Sequence, residues 1–136
     1  MKKIIVVDGQ GGNIGKQIVK SIKESFPGEY IRAVGTNSVA TANMLKAGAD
    51  EGATGENAVV VACKEADIIV GPIGIIIADA LLGEVSKEMA TAISSCNAKK
   101  VLIPLNKCDV LVAGVRAKST NELLEDTIKI LNGIIK

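Results

Sequence analysis

The chain has 136 residues, of which 48% are hydrophobic and 23% are charged, as expected for a single well-packed globular domain. Its 16 basic and 15 acidic side chains leave a formal net charge of +1, and the aromatic residues amount to one Phe and one Tyr. This composition provides neither the basic surface that attracts nucleic acid or a membrane nor the aromatic faces on which bases stack. We therefore expect no nucleic-acid partner and no membrane partner.

Residue types that bind metals or transfer protons are scarce. The sequence contains no His, which removes the commonest metal ligand and general base. Cys63, Cys96 and Cys108 lack the CxxC spacing of structural zinc sites, and so small and odd a number of cysteines is typical of reduced thiols. The apolar runs at residues 4–7 and 73–78 are too short for a signal peptide or a membrane span. We expect a cytoplasmic protein without a bound metal.

Short β-branched segments alternate with stretches of helical period, which is the pattern of a parallel sheet covered by helices. The first segment, residues 4–7, is continuously apolar, as in a strand buried on both faces. Residues 12–26 then repeat an apolar side chain every four positions, which predicts a helix. The further predicted elements are, in chain order, a strand at 30–34, a helix at 38–47, a strand at 51–53, a helix at 54–66, a strand at 67–70, a helix at 78–96, strands at 101–105 and 110–115, and a last helix that begins at a capping box of Ser119 and Glu122.

This order of elements predicts an α/β fold. We expect one doubly wound, mostly parallel sheet of five to six strands with helices on both faces, a Rossmann-like domain that spans residues 1–136. Such sheets bind their ligands at the carboxyl ends of the strands, close to the point where the strand order reverses. The loops that follow the strands are therefore where a site is expected.

A glycine-rich loop follows the first strand. It does not fit the P-loop, because glutamines replace the first glycine and the hydroxyl residue of that motif. It also departs from G-x-G-x-x-G, since Ile14 occupies the third glycine position. Gly9, Gly12 and Gly15 instead form G-x-x-G-x-x-G, which resembles the fingerprint of extended short-chain dehydrogenase/reductase and related NAD(P)-binding proteins. The predicted nucleotide-binding residues of this segment are Gly9, Gln10, Gly11, Gly12, Asn13, Ile14 and Gly15.

The glycines favour phosphate binding for physical reasons. They permit a tight turn, a close approach of phosphate to the backbone and close packing of helix on strand, and the amino end of the helix offers free N–H groups. We expect a side chain at Gly12 to block the phosphate. The alternative is a β–α turn without a ligand. The carboxylate of Asp8 would repel a phosphate, so we place it on the substrate side, where it could hold a ribose hydroxyl or a bridging cation.

The loops after the other strands supply further candidates. Thr36, Asn37 and Ser38 can donate to a hydroxyl or a phosphate. The alternative is that Asn37 and Ser38 merely turn the chain and cap the next helix. Neither the acid that holds the ribose of NAD nor the Arg that holds the phosphate of NADP is present there. NAD or NADP is the cofactor expected from the glycines, and another nucleotide stays open. The remaining candidates are Gly71, Pro72 and Gly74 on the cofactor side, and Glu56, Asn57, Lys107 and Cys108 on the substrate side.

Several segments together resemble one family of short bacterial proteins of unknown function, which is grouped with Rossmann-like nucleotide-binding folds. The resemblance covers nearly the whole chain and implies a site at the strand ends already named. The segments that carry it are 8–16, 35–37, 44–49, 52–58, 71–75 and 103–108.

Three functions are compatible with these residues. The first is a nucleotide-binding module, a sensor or subunit that uses an NAD(P)-like ligand without chemistry of its own. The second is a small NAD(P)-dependent reductase or nucleotide transferase whose site is completed in a homodimer, and we expect a homo-oligomer. The third is an interaction scaffold that has lost the ligand and uses the apolar residues 73–82 as its interface.

Overall fold

The computed structural model describes residues 2–105, 110–115 and 118–135. Strands and helices alternate along these ranges, as the sequence predicts. In chain order they are β1 (Ile4–Asp8), α1 (Asn13–Ser25), β2 (Ile31–Gly35), α2 (Ser38–Lys46), β3 (Glu51–Thr54), α3 (Glu56–Glu65), β4 (Ile68–Pro72), a 3₁₀ helix (Ile73–Ile76), α4 (Lys87–Ser95), β5 (Lys99–Ile103) and α5 (Thr120–Ile135).

The strands described here form one sheet in the order β3-β2-β1-β4-β5, and every neighbouring pair is parallel. The chain moves outward from β1 to β3 and then crosses back to place β4 on the other side of β1. The strand order therefore reverses between β1 and β4, which is where doubly wound sheets bind their ligands. The predicted Rossmann-like α/β fold is confirmed.

Alternate side chains of β1 enter two separate cores. Ile4 and Val6 pack with α1, α2 and α5 on one face of the sheet. Ile5 and Val7 pack with α3 and α4 on the other face. All four side chains are at most 2% exposed, and burying each contributes about 1.5–3 kcal/mol. Burial on both faces explains why the sequence of this strand is continuously apolar.

The predicted strand at residues 110–115 is wrong. This segment has irregular structure and is mostly exposed, and its Leu111 is 87% exposed. None of its side chains joins either core, so no hydrophobic burial would hold it as a sixth strand. The described sheet accordingly ends at β5.

The predicted helix at residues 78–96 is too long. Residues 77–86, which we call the β4–α4 loop, form turns. Three of its non-glycine residues have left-handed backbone conformations, namely Asp79, Leu81 and Leu82 with φ of 66°, 57° and 57°. The helix begins only after Ser86, whose side chain accepts a hydrogen bond from the N–H of Met89 at 3.2 Å. Ser86 is therefore the N-cap of α4.

One expectation about a helix is settled by contacts within the described residues. The capping box at the start of α5 is confirmed, because the N–H of Glu122 donates to Ser119 Oγ at 3.2 Å and the N–H of Ser119 donates to Glu122 Oε1 at 3.0 Å. None of the helices in the described ranges combines the length and the apolar character needed to cross a bilayer.

Candidate functional site

The glycine loop (residues 9–12) connects β1 to α1 at the reversal point of the sheet. The N–H of Gly12 donates to the carbonyl of Gly9 at 2.9 Å, which closes a tight turn. Gln10 and Gly12 both have positive φ, 50° and 69°, and Gly12 is the residue immediately before the first turn of α1. The loop thus directs the amino end of α1 toward the carboxyl edge of the sheet.

The three spaced glycines of this segment permit close packing. A Cβ on Gly9 would lie 2.5 Å from Thr36 Oγ1, and a Cβ on Gly15 would lie 2.6 Å from Met44 Sδ. A Cβ on Gly12 would lie 2.7 Å from the Cα of Ala40 in α2. The expectation that a side chain at Gly12 blocks a phosphate is therefore wrong, because that side chain would overlap the backbone of α2 at Ala40.

Asp8 fastens the end of β1 to the first turn of α1. Its Oδ1 accepts from the N–H of Gly9 at 2.8 Å and its Oδ2 accepts from the N–H of Gly15 at 2.7 Å. The residue is only 5% exposed. These contacts give the carboxylate a positioning role in the loop, and they use two of the N–H donors that the sequence made available to a ligand.

Other N–H groups at this helix end stay available. Within the described part of the chain, the N–H groups of Gly11, Asn13 and Ile14 meet no hydrogen-bond acceptor. Unpaired donors of this kind, together with the positive end of the helix dipole, bind anions at helix amino ends. The arrangement can therefore accept the oxygens of a phosphate.

A cavity of about 100 Å³ lies beside these donors. Residues 8–14 form one of its walls. The volume is below the roughly 300–1,000 Å³ of sites that enclose a whole drug-sized ligand, so it suits a phosphate-sized group. The opposite wall is mostly apolar and is made by Pro72, Gly74, Ala80, Leu81 and Leu105.

A carboxylate from the β4–α4 loop reaches the glycine loop, and sequence reasoning missed it. Glu84 Oε1 accepts from the N–H of Gln10 at 2.8 Å, from Thr36 Oγ1 at 2.6 Å and from Asn37 Nδ2 at 2.8 Å. Partial burial opposes the ionisation of Glu84, but the hydrogen bonds from Thr36, Gln10 and Asn37 outweigh it and hold the pKa of this carboxyl below its usual value. Glu84 is therefore a carboxylate at neutral pH.

The predicted residues after β2 lie next to the glycine loop. Asn37 Oδ1 accepts from the N–H of Ala40 at 2.9 Å and so caps α2, as one of the alternatives for this residue proposed. Its Nδ2 also donates to the carbonyl of Gln10 at 2.8 Å. Thr36 and Asn37 thus combine the structural role with a place at the edge of the site.

The other predicted residues divide between the cavity and its surroundings. Pro72 and Gly74 line the cavity. Gly71 permits close strand packing instead, because a Cβ there would lie 2.4 Å from the carbonyl oxygen of Val7. Ile75 is buried in the core and Leu82 is 95% exposed, so residues 73–82 do not form one continuous apolar surface.

Among the predicted substrate-side residues, Glu56 and Asn57 are not brought to the cavity. Glu56 begins α3 and its Oε1 accepts from Ser86 Oγ at 2.5 Å, while Asn57 is exposed, and neither residue lines the cavity. Lys107 and Cys108 lie outside the described residues. The ranges that are described contain no group of three or more Cys, Asp or Glu side chains placed to hold a metal ion.

Comparison with known proteins identifies the family of this chain. A comparison with curated proteins gives no significant match. Among solved structures, the chain is similar to a dodecameric FMN-dependent UbiX-like decarboxylase from Escherichia coli O157:H7, with 16% sequence identity, a TM-score of 0.44, and coverage of 97% of this chain and 75% of that one. Residues 3–136 match the family model of a domain of unknown function, DUF3842. The chain belongs to this DUF3842 family.

Proposed function

We propose that this protein is a nucleotide-binding module that holds a phosphate of its ligand at the glycine loop. The observation that carries the proposal is the set of three N–H groups, on Gly11, Asn13 and Ile14, that line the cavity without an acceptor among the described residues. Their position at the amino end of α1 and at the reversal point of the sheet is the one that phosphate groups occupy in doubly wound folds.

The ligand we propose is NAD(P)-like, because the spacing of Gly9, Gly12 and Gly15 resembles that of extended short-chain dehydrogenase/reductase proteins. The cavity accommodates the phosphate, and the nucleoside extends along the carboxyl edge of the sheet toward the end of β2. Leu81 and Glu84 of the β4–α4 loop lie against Gly9, so the nucleoside extends past this loop while Glu84 keeps its contact with the glycine loop.

Binding without chemistry fits the groups around the cavity. Of its described lining residues, Asp8 alone carries a titratable side chain, and both of its oxygens are engaged by backbone N–H groups. A general acid or base has to be able to exchange a proton with a substrate. The lining described here is therefore suited to holding a ligand rather than to transforming it.

The test uses Asn13→Asp in dialysed, intact protein. Asn13 is exposed in the first turn of α1 and lines the cavity, so the new carboxylate suits the helix dipole and repels a phosphate. Asn121→Asp is the matched control, because it makes the same change in the first turn of α5, away from the cavity. Binding is measured by calorimetry and thermal shift with NAD, NADP, ATP, FMN, coenzyme A and inorganic phosphate.

We expect at least one of these ligands to bind, and we expect Asn13→Asp to weaken that binding roughly tenfold or more at low ionic strength, which corresponds to about 1.4 kcal/mol. The loss should shrink as salt is added, because salt screens the new charge. Absence of binding by all six compounds contradicts the proposal. Equal weakening by Asn13→Asp and Asn121→Asp also contradicts it.

A further inference from the structure

A carboxylate lies at the end of β2 although the loop after β2 contains no acid. The carboxylate is that of Glu84, which belongs to the β4–α4 loop and is 74 residues distant in sequence from its partner Gln10. It is fixed from two sides, by the backbone of the glycine loop and by the side chains of Thr36 and Asn37. Its position is therefore set by β1 and β2 and not only by its own loop.

The loop that carries Glu84 is closed on itself. The N–H of Asp79 donates to the carbonyl of Val85 at 2.7 Å, and the N–H of Val85 donates to the carbonyl of Ala80 at 3.2 Å. Leu81 and Leu82 between them adopt left-handed conformations, which L-residues with branched side chains rarely do. Backbone strain of this kind persists where the surrounding structure imposes it, and it clusters at ligand-binding positions.

The second oxygen of Glu84 is available. The three donors all contact Oε1, and within the described ranges Oε2 has no hydrogen-bond partner. A carboxylate with a free oxygen accepts hydrogen bonds from hydroxyl groups and repels a second anion. In doubly wound nucleotide-binding folds, an acid at the end of β2 holds the ribose 2′-hydroxyl, and a 2′-phosphate needs a cation in its place.

We propose that Glu84 supplies from the β4–α4 loop the ribose-binding carboxylate that β2 lacks, so that the site selects a nucleotide with a free 2′-hydroxyl over one with a 2′-phosphate. This inference rests on the proposed phosphate site. It names the ligand class of that site, NAD-like and not NADP-like, and it assigns to Glu84 a role in specificity as well as in fixing the loop.

The experiment compares Kd values of NAD, NADP and inorganic phosphate for wild type, Glu84→Gln and Glu88→Gln. The amide of Glu84→Gln keeps an oxygen that can accept the three hydrogen bonds and removes the charge. Glu88 is an exposed carboxylate in the first turn of α4 and lies outside the cavity, which makes Glu88→Gln the matched control. Far-UV circular dichroism and thermal melts establish that each variant is folded.

We expect wild type and Glu88→Gln to bind NAD at least tenfold more tightly than NADP, and Glu84→Gln to reduce this ratio below threefold. Phosphate binding by wild type, with NAD and NADP bound equally, overturns this inference and leaves the proposed function standing. Absence of binding by NAD, NADP and phosphate overturns both. If Glu84→Gln does not fold, the inference is tested on the wild-type protein alone. We then expect ADP to bind at least threefold more tightly than 2′-deoxy-ADP. Equal affinity for the two compounds overturns the assignment of Glu84.

Discussion

Gly12→Ala should lower the free energy of unfolding of the protein itself, independently of any effect on ligand binding. The new Cβ would lie 2.7 Å from the Cα of Ala40 and 2.9 Å from its carbonyl oxygen, against 3.4 Å for the start of ordinary contact. Both atoms belong to the backbone of α2, so no side-chain rotation relieves the overlap, and such overpacking costs about 1–3 kcal/mol. The φ of 69° at Gly12 adds about 1–2 kcal/mol for a residue with a Cβ. We expect a total loss of about 2–5 kcal/mol.

The assay is urea unfolding followed by far-UV circular dichroism, since the chain has no Trp to report by fluorescence. The loss corresponds to a fall in Tm of roughly 10–20 °C for a chain of this size. Gly11→Ala is the matched control, because a Cβ there meets nothing within 4 Å and its φ lies outside the left-handed region. It should change stability by less than about 0.5 kcal/mol. A loss under about 1 kcal/mol for Gly12→Ala, or equal losses for both variants, would refute the reasoning.

Two further predictions concern buried groups. Asp8 is only 5% exposed, and Asp8→Ala removes the acceptor of two backbone N–H groups, those of Gly9 and Gly15. The free energy of unfolding in urea should therefore fall by roughly 2–4 kcal/mol, and by less for Asp8→Asn. Equal stability of wild type and Asp8→Ala would show that the loop does not depend on this carboxylate. Burial, and to a smaller extent the neighbouring Cys96, raises the pKa of the Cys63 thiol from 9.0 to about 12. Iodoacetamide at pH 8 should therefore leave Cys63 unmodified in the native protein and modify it in urea, as peptide mass mapping would show, and rapid native labelling would contradict its protonated, buried state. The stability linked to this thiol should be complete below pH 9 and should decline as the pH rises from 9 toward 12, because the unfolded chain then releases a proton that the folded chain retains.

Elements with a strong local pattern were predictable because their causes lie within a few residues. The apolar run of β1, the four-residue period of α1 and the capping box of Ser119 and Glu122 each predicted an element that the structure contains. The glycine loop was likewise predictable as a turn, since positive φ at Gly12 needs no long-range contact to favour glycine. Its anion-binding function remains a prediction.

The β4–α4 loop was not predictable in the same way. Residues 78–96 are rich in Ala, Leu and Glu, which favour helix, and this pattern concealed a loop. Gly83 within the supposed helix, and Ser86 three residues later, were the available signals of a break and of a new N-cap. Leu81 adopts its left-handed conformation in a loop that packs against Gly9, and this contact joins distant parts of the chain.

The sequence by itself determined the alternation of strands and helices, the fold class and the glycine loop, because periodicity and turn chemistry act locally. Tertiary structure alone decided what surrounds that loop. It packed α2 closely against Gly12, paired the carboxylate of Asp8 with backbone N–H groups and brought Glu84 to the end of β2. The physical reason is that a parallel sheet brings its strand ends to one edge whatever their separation in sequence, so side chains that meet there carry no local signature of the meeting.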